Sequence, residues 1–167
     1  MTNVFVGLGS NLGDRVGSIA AAVREMAATE GVRVLDVSSV VESEAWGVED
    51  QPRFANAVAR LDVRGEADAF LGTLKAIEER LGRRPGVRYG PRPIDLDILL
   101  FGDEEWDSPE LTIPHPRLLE RDFAVTPLLR LAPDAVLPDG TPVTRENAVE
   151  GRIVGEMGPV PGFGGPG

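Results

Sequence analysis

Residues 94–101 read Ile-Asp-Leu-Asp-Ile-Leu-Leu-Phe, and this stretch decides the fold. Side chains alternate between the two faces of a β-strand, so the apolar residues at 94, 96, 98 and 100 predict one face packed on the core. The same alternation places Asp95 and Asp97 together on the opposite face, followed by Leu99 and Phe101. Carboxylates two residues apart on a strand lie about 7 Å apart and repel each other unless something compensates them.

A basic stretch precedes this strand. Residues 80–92 contain five arginines and no acid in a chain whose net charge is -10. One interpretation is that these arginines neutralise Asp95 and Asp97 as structural ion pairs. The other is a divalent-cation site, because magnesium prefers carboxylate oxygens and completes its coordination with water and substrate phosphates. A solvated basic loop is a third interpretation, and the residues alone leave all three open.

The remaining periodicity predicts the element order β-α-β-β-α-β with further short helices near the C-terminal end. This order matches an α+β, ferredoxin-like sandwich, in which a mostly antiparallel sheet carries two helices on one face. We expect a single domain over residues 1–157 and a disordered Gly/Pro-rich tail over 158–167. The predicted strands are 3–8, 32–42, 54–63 and 94–101, and the predicted helices are 14–28, 66–81 and one or two within 116–131.

Composition excludes several classes of function. The chain has 167 residues, no cysteine and a net charge of -10. Thiolate catalysis and disulfides are therefore excluded, and the acidic surface argues against nucleic acid and anionic membranes as partners. No apolar run is long enough to cross a membrane, and residues 1–4 show no secretory signal. We expect a cytoplasmic monomer.

The first predicted strand ends in a glycine-rich stretch, Gly7-Leu8-Gly9-Ser10-Asn11-Leu12-Gly13. The spacing differs from the dinucleotide-binding fingerprint, and the Gly-Lys-Ser/Thr of a phosphate-binding Walker loop is missing. We therefore interpret the stretch as a tight turn whose next helix is capped by Ser10, Asn11 or Asp14. More than 80 residues separate Gly9-Ser10 from the acidic pair, which argues against a nucleotidyltransferase.

At residues 88–99 the sequence resembles the signature of the 6-hydroxymethyl-7,8-dihydropterin pyrophosphokinase family. That pattern is a basic residue, any residue, Gly-Pro-Arg, two residues, Asp, an aliphatic, Asp and two aliphatics, and every position is filled here. The resemblance runs from about residue 3 to 140. Its other blocks are Gly9–Gly13, Gln51–Ala57, Leu111–Arg117 and Arg121–Phe123.

The resemblance implies transfer of pyrophosphate from ATP to the hydroxymethyl group of a reduced pterin, with release of AMP. It implies two magnesium ions held by Asp95 and Asp97, and Arg83 and Arg92 as further catalytic residues. The implied ATP contacts are Glu78, Arg88, Ile98, Thr112, His115 and Arg121. The implied pterin contacts are Ser43, Glu44, Trp46, Phe54, Asn56, Tyr89 and Phe123.

Three features depart from the family pattern. Glu110 stands where some relatives have a basic nucleotide contact, and Pro116 where others have an aromatic. The loop 78–89 is one residue shorter than in some relatives, which leaves the match of Arg84 open. A binding module without turnover remains an alternative, but such a module has no need for two carboxylates facing a basic loop.

Overall fold

The computed structural model describes residues 1–45, 51–82 and 93–163. The predicted mostly antiparallel sheet with helices is confirmed. The helices are α1 Arg15–Ala27, α2 Ala67–Arg80 and α3 Asp122–Leu131, and Leu118–Glu120 forms a 3-10 turn. The strands are β1 Thr2–Ser10, β2 Val32–Val37, β3 Val40–Ser43, β4 Phe54–Val63, β5 Asp95–Phe101, β6 Trp106–Asp107, β7 Thr112–Ile113 and β8 Ile153–Gly158.

The main sheet has six strands in the order β5-β1-β4-β3-β8, with β2 also pairing with β4. Every pairing in it is antiparallel. Strand β1 therefore lies between β5, which carries the acidic pair, and β4, which carries Asn56. Strands β6 and β7 form a separate two-stranded sheet.

Each face of the sheet is covered by its own layer. Helices α1 and α2 bury one apolar stripe each in the main core, where Ile19, Met26, Leu74 and Ile77 are fully buried. Helix α3 packs on the other face in a second core with Val125 and Leu128. Burying such a side chain stabilises the fold by about 1.5–3 kcal/mol. The site described below lies on the α3 face.

A bulge in β5 changes the predicted alternation. The register against β1 shifts between Phe5 and Val6, because Phe5 pairs with Leu100 while Val6 pairs with Ile98. The extra residue is Leu99, and beyond it the two faces exchange. Phe101 therefore lies in the main core and Leu100 in the second core, the reverse of the prediction.

The predicted strand over 32–42 is two strands. Both β2 and β3 pair with β4, and Ser38 lies between them. Ser38 N donates to Val58 O at 2.9 Å, and its Oγ accepts from Val58 N at 2.9 Å. The hydroxyl replaces the carbonyl that a regular strand would offer here, so the edge bends without leaving the Val58 N–H unpaired.

The C-terminal segment adds β8, which the periodicity did not predict. Strand β8 pairs with β3 and ends at Gly158, but Val160 is 1% exposed and Phe163 packs against the main core. Packing therefore continues beyond the predicted start of the tail, and residues 164–167 lie outside the described residues. Within the described part of the chain, the helices are too short or too polar to span a membrane.

Candidate active site

Two glycines of β1 form the floor of the candidate site. Gly9 lies opposite Asp95 on one side and Asn56 on the other, and Gly7 lies opposite Asp97 in the same way. Directly paired residues of antiparallel strands share a face, so the carboxylates and the amide project on one side of the sheet. The glycines have no side chains of their own, so neighbouring side chains lie over them, and a Cβ on Gly7 would lie 3.5 Å from Leu99 Cδ2. Gly7 lies in the strand as predicted, and β1 continues to Ser10, so Gly9 is a strand residue rather than part of the predicted turn. Asp14 caps α1 by accepting from Gly17 N at 3.0 Å.

The amide of Asn56 is held in place by its neighbours. Its Nδ2 donates to Ser43 Oγ at 2.7 Å, and the two residues are 4% and 0% exposed. A Cβ on Gly9 would lie 2.9 Å from Asn56 Oδ1 and 3.7 Å from the ring of Phe54. Gly9 therefore provides the space that the Asn56 carbonyl occupies, so the side chain keeps one orientation.

Strand β5 ends the strand order, so its outer edge needs other partners. Glu78 Oε2 on α2 accepts the N–H of Leu96 at 2.8 Å, and Leu99 O accepts from His115 N at 3.0 Å. Leu96 lies between Asp95 and Asp97, so these two bonds hold the backbone that carries the acidic pair. Glu78 is 6% exposed, so it is a buried structural acceptor rather than a solvated helix carboxylate.

His115 is neutral and has a defined tautomer. Burial lowers its pKa to about 4, and the positive charge of Arg121 adds to this effect while Asp95 opposes it. Its Nδ1 accepts from the backbone N–H of Arg117 at 3.1 Å, so the ring proton of the neutral form is on Nε2. The ring therefore offers one N–H donor.

Arg121 and Phe123 complete the opposite wall at the start of α3. Arg121 is 8% exposed, and its guanidinium carbon lies 5.6 Å from the centre of the Phe123 ring. Burial lowers the pKa of Arg121, and the negative charges of Asp97 and Asp95 oppose this. Arg121 and His115 are therefore close enough to the acidic pair for their charges to interact.

A cavity of about 460 Å³ lies between the outer face of α2 and the β6–β7 region. Leu71 and Lys75 line it from α2, and Trp106, Glu110 and Leu111 line it from the other side. Thr112 follows Leu111, and Glu78 is the next position of the Leu71–Lys75 stripe. The two predicted ATP contacts Thr112 and Glu78 are thus near neighbours in sequence of lining residues, and Glu110, which departs from the family pattern, is part of the wall.

The acidic pair suits a metal shared with a substrate. Asp95 and Asp97 are half-buried on one face of β5. In the described ranges, no group of three or more His, Asp or Glu side chains could hold a metal ion. Magnesium is often bound by one or two carboxylates plus substrate phosphates, and a two-carboxylate site fits that mode of binding.

The remaining predicted site residues either lie outside the described residues or lie away from the acidic pair. Arg83, Arg84, Arg88, Arg92, Trp46 and Tyr89 lie outside the described residues. The side chain of Ile98 is buried in the main core, on the sheet face that α2 covers and opposite the acidic pair, and Glu44 is exposed with its N–H donated to Arg152 O at 2.9 Å. Sequence reasoning missed the floor formed by Gly7 and Gly9, because the predicted strand ended at residue 8; the spacing of two between the glycines was the available signal.

Comparison with known proteins identifies the family of this chain. The model of the 7,8-dihydro-6-hydroxymethylpterin-pyrophosphokinase family matches residues 5–133. The 2-amino-4-hydroxy-6-hydroxymethyldihydropteridine pyrophosphokinase of Pseudomonas aeruginosa is 44% identical over 82% of this chain and 85% of its own length. The protein of the same name from Aquifex aeolicus is 40% identical over 83% and 85%.

Longer relatives contain a similar region. The folic acid synthesis protein fol1 of Schizosaccharomyces pombe is 42% identical over 80% of this chain, which spans only 18% of that protein. A crystal structure of a Plasmodium falciparum HPPK-DHPS variant has a TM-score of 0.64 at 14% identity, over 81% of this chain and 43% of that one. That structural likeness concerns the fold alone. Together with the family match, the identities to the two bacterial proteins establish that this chain belongs to the 7,8-dihydro-6-hydroxymethylpterin-pyrophosphokinase family.

Proposed function

We propose that this chain transfers the pyrophosphoryl group of ATP to 6-hydroxymethyl-7,8-dihydropterin and releases AMP, a step of folate biosynthesis. The observation that carries the proposal is the arrangement across β1, where Asp95 and Asp97 face Asn56 over a floor of two glycines. One side of this floor has the charge to hold a metal polyphosphate. The other side has a fixed amide suited to the polar edge of a flat heterocycle.

The pterin is proposed to bind between Phe54, Asn56 and Phe123. Its ring is flat and presents a row of hydrogen-bonding groups, so it calls for aromatic walls and a rigid amide. The bond from Asn56 to Ser43 supports this role, because an amide that is already oriented loses little entropy on binding. The hydroxymethyl oxygen would then lie towards the acidic pair.

ATP is proposed to bind with its phosphates near His115 and Arg121. The Nε2–H of His115 and the guanidinium of Arg121 are donors that stabilise negative phosphoryl oxygens. We assign the nucleoside end of ATP to the 460 Å³ cavity that adjoins Thr112. In the reaction the hydroxymethyl oxygen bonds to the β-phosphorus and its proton is released to solvent, while the bond from that phosphorus to the α,β-bridging oxygen breaks and AMP leaves.

Magnesium is the proposed cofactor, with Asp95 and Asp97 as the protein ligands. When bound, the ions would neutralise charge on the phosphates and orient them. The residues of the chain do the rest by positioning: Glu78 and His115 hold the strand that carries the carboxylates. A dedicated histidine base is unnecessary, because phosphoryl transfer depends mainly on alignment and charge stabilisation.

We also assign the ferredoxin-like arrangement to residues 2–101. When β2 and β3 are counted as one interrupted strand, the order β5-β1-β4-β3 with two helices on one face supports this topology. Strand β8 then extends the sheet at the far edge.

The proposal is tested by incubating the protein with ATP, magnesium chloride and 6-hydroxymethyl-7,8-dihydropterin and separating the nucleotides. We expect one AMP for each pterin consumed, and no AMP when pterin or magnesium is omitted. Formation of ADP, or binding of pterin without any product, would overturn the proposed activity.

A further inference from the structure

The segment Glu150–Ile153 connects both walls of the candidate site, although it lies beyond the residues that match the family model. Glu150 forms a parallel bridge with Arg121: its N–H donates to Glu120 O at 2.9 Å, and its carbonyl accepts from Asp122 N at 3.0 Å. Ile153 N donates to Asp122 Oδ2 at 3.0 Å. The segment is therefore fastened to the first turn of α3, immediately beside Phe123.

The same segment is fastened to the pterin side of the sheet. Ile153 pairs with Ser43, the partner of Asn56, and Arg152 O accepts from Glu44 N at 2.9 Å. One short stretch of backbone thus sets the distance between the start of α3 and strand β3. The start of α3 carries Phe123, and β3 carries Ser43, which accepts from Asn56 on the neighbouring strand β4.

Gly151 is the point of closest approach. It is buried, has φ +56, and a Cβ built on it would lie 2.5 Å from Phe123 Cε1 and closer still to Cδ1. Any side chain at this position therefore requires the ring or the segment to move. The positive φ also favours glycine, but other glycines carry that feature without such a contact.

Ion pairing also holds the segment Glu150–Ile153 near the residues proposed to bind phosphate. The carboxylate of Glu150 pairs with Arg117, and its negative charge also acts on Arg121. The guanidinium of Arg121 lies over the Phe123 ring. A shift of residues 150–151 would therefore be transmitted to the ring and to its neighbouring cation together.

We propose that Gly151 is a positioning residue for the pterin site: its missing side chain leaves the space that holds the Phe123 ring in place opposite Asn56. The inference rests on the proposed function, and it assigns a role in pterin recognition to the C-terminal segment. Gly151 is proposed to act through Phe123 and not by contact with substrate.

The matched control is Gly140. It has φ +90 and nothing within 4 Å of a built Cβ, so Gly140→Ala introduces the backbone strain without the clash. We expect Gly151→Ala to raise the KM for pterin about 10-fold or more, because a displacement of about 1 Å at a site has effects of this size. The KM for ATP should rise less than the KM for pterin, because Arg121 is displaced only through its contact with the Phe123 ring, and Gly140→Ala should leave both KM values unchanged. Equal pterin KM values in the two variants would overturn the inference.

A second measurement does not depend on turnover. Gly151→Ala and Phe123→Ala are combined in a double-mutant cycle, with urea unfolding as the readout. We expect Gly151→Ala to be much more destabilising with Phe123 present than in the Phe123→Ala background, where its cost should equal that of Gly140→Ala. The double variant should also fold if Gly151→Ala alone does not.

The two measurements separate the possible failures. If the wild-type protein does not turn over pterin but the cycle shows coupling, the proposed function is wrong and the contact of Gly151 with Phe123 stands. If turnover is normal but the cycle shows no coupling, the inference about Gly151 is wrong.

Discussion

Glu78 joins helix α2 to the strand that carries the acidic pair, and its replacement tests how that strand is held. Glu78 is 6% exposed, and its Oε2 accepts the N–H of Leu96 at 2.8 Å. Glu78→Ala removes this acceptor and leaves a buried backbone donor without it. A hydrogen bond to a charged group contributes about 1.5–3 kcal/mol, and an unsatisfied buried donor costs about 1–3 kcal/mol. These two figures describe partly the same loss and are not simply added, so we expect the free energy of unfolding to fall by about 3 kcal/mol.

The expected loss of stability can be expressed as a change in Tm and compared with the loss in a second variant at the same position. For a domain of this size, 3 kcal/mol corresponds to a fall in Tm of about 6–12 °C. Glu78→Gln keeps an oxygen acceptor but loses its charge, and charge-assisted bonds are about twice as strong as neutral ones. We therefore expect Glu78→Gln to lose roughly half as much stability.

Glu79→Ala is the matched control, because it removes the same side chain and the same charge from the next, exposed position of α2. Surface substitutions of this kind change stability by less than about 0.5 kcal/mol. Urea unfolding at pH 7, followed by far-ultraviolet circular dichroism, gives all three values. If Glu78→Ala lies within about 0.5 kcal/mol of Glu79→Ala, the bond to Leu96 does not hold β5 as argued.

The same variant has an expected effect on activity. Asp95 and Asp97 flank Leu96, so loosening that backbone displaces the proposed metal ligands. At a temperature where the variant is fully folded, we expect kcat/KM to fall about 10-fold or more. An unchanged kcat/KM in a destabilised Glu78→Ala protein would show that the acidic pair is positioned by other contacts.

The remaining predictions concern the site itself. Asp97→Ala should abolish AMP formation while the circular dichroism spectrum stays native, and Asp62→Asn, a change at a half-buried aspartate on β4, should retain activity. Ser43→Ala should destabilise the fold by about 1 kcal/mol and raise the KM for pterin more than that for ATP, because the amide of Asn56 loses its partner. The pKa of His115 is lowered to about 4 in the folded state, below its unfolded value of 6.5, so its contribution to stability is complete above pH 6.5 and is lost as the pH falls through 4. Between pH 7 and 4 the wild type should therefore lose about 2 to 3 kcal/mol more than His115→Gln in urea titrations, and equal losses would contradict the assigned pKa.

Local pattern was sufficient for the main elements of the fold. The alternation at 94–98 predicted that Asp95 and Asp97 share a face, and the register of β5 against β1 confirms it. The predicted alternation was wrong at Leu100 and Phe101, which follow the bulge. A bulge depends on how the partner strand pairs, so no periodic pattern in the sequence indicates it. The prediction of one continuous strand over 32–42 was wrong for a similar reason. The hydroxyl of Ser38 accepts the Val58 N–H in place of a backbone carbonyl, and this can happen only when β4 lies beside it.

The candidate site was likewise predicted from the sequence only in part. Motif spacing identified the acidic pair, Asn56, His115 and Arg121 as one set, since their order along the chain is what a family pattern records. It could not show that Glu78 is buried against Leu96, that Gly9 makes room for Asn56, or that Gly151 makes room for Phe123. Those relations join residues that are distant in sequence.

By itself, the sequence determined the element order, the shared face of the two carboxylates and the family, because period and motif are properties of neighbouring residues. Packing between distant segments placed Glu78 at the edge of β5, left space over Gly9 and Gly151 for other side chains, and joined residues 150–153 to α3 and β3. The physical reason is that backbone pairing and close packing act between segments that meet only after the chain has folded.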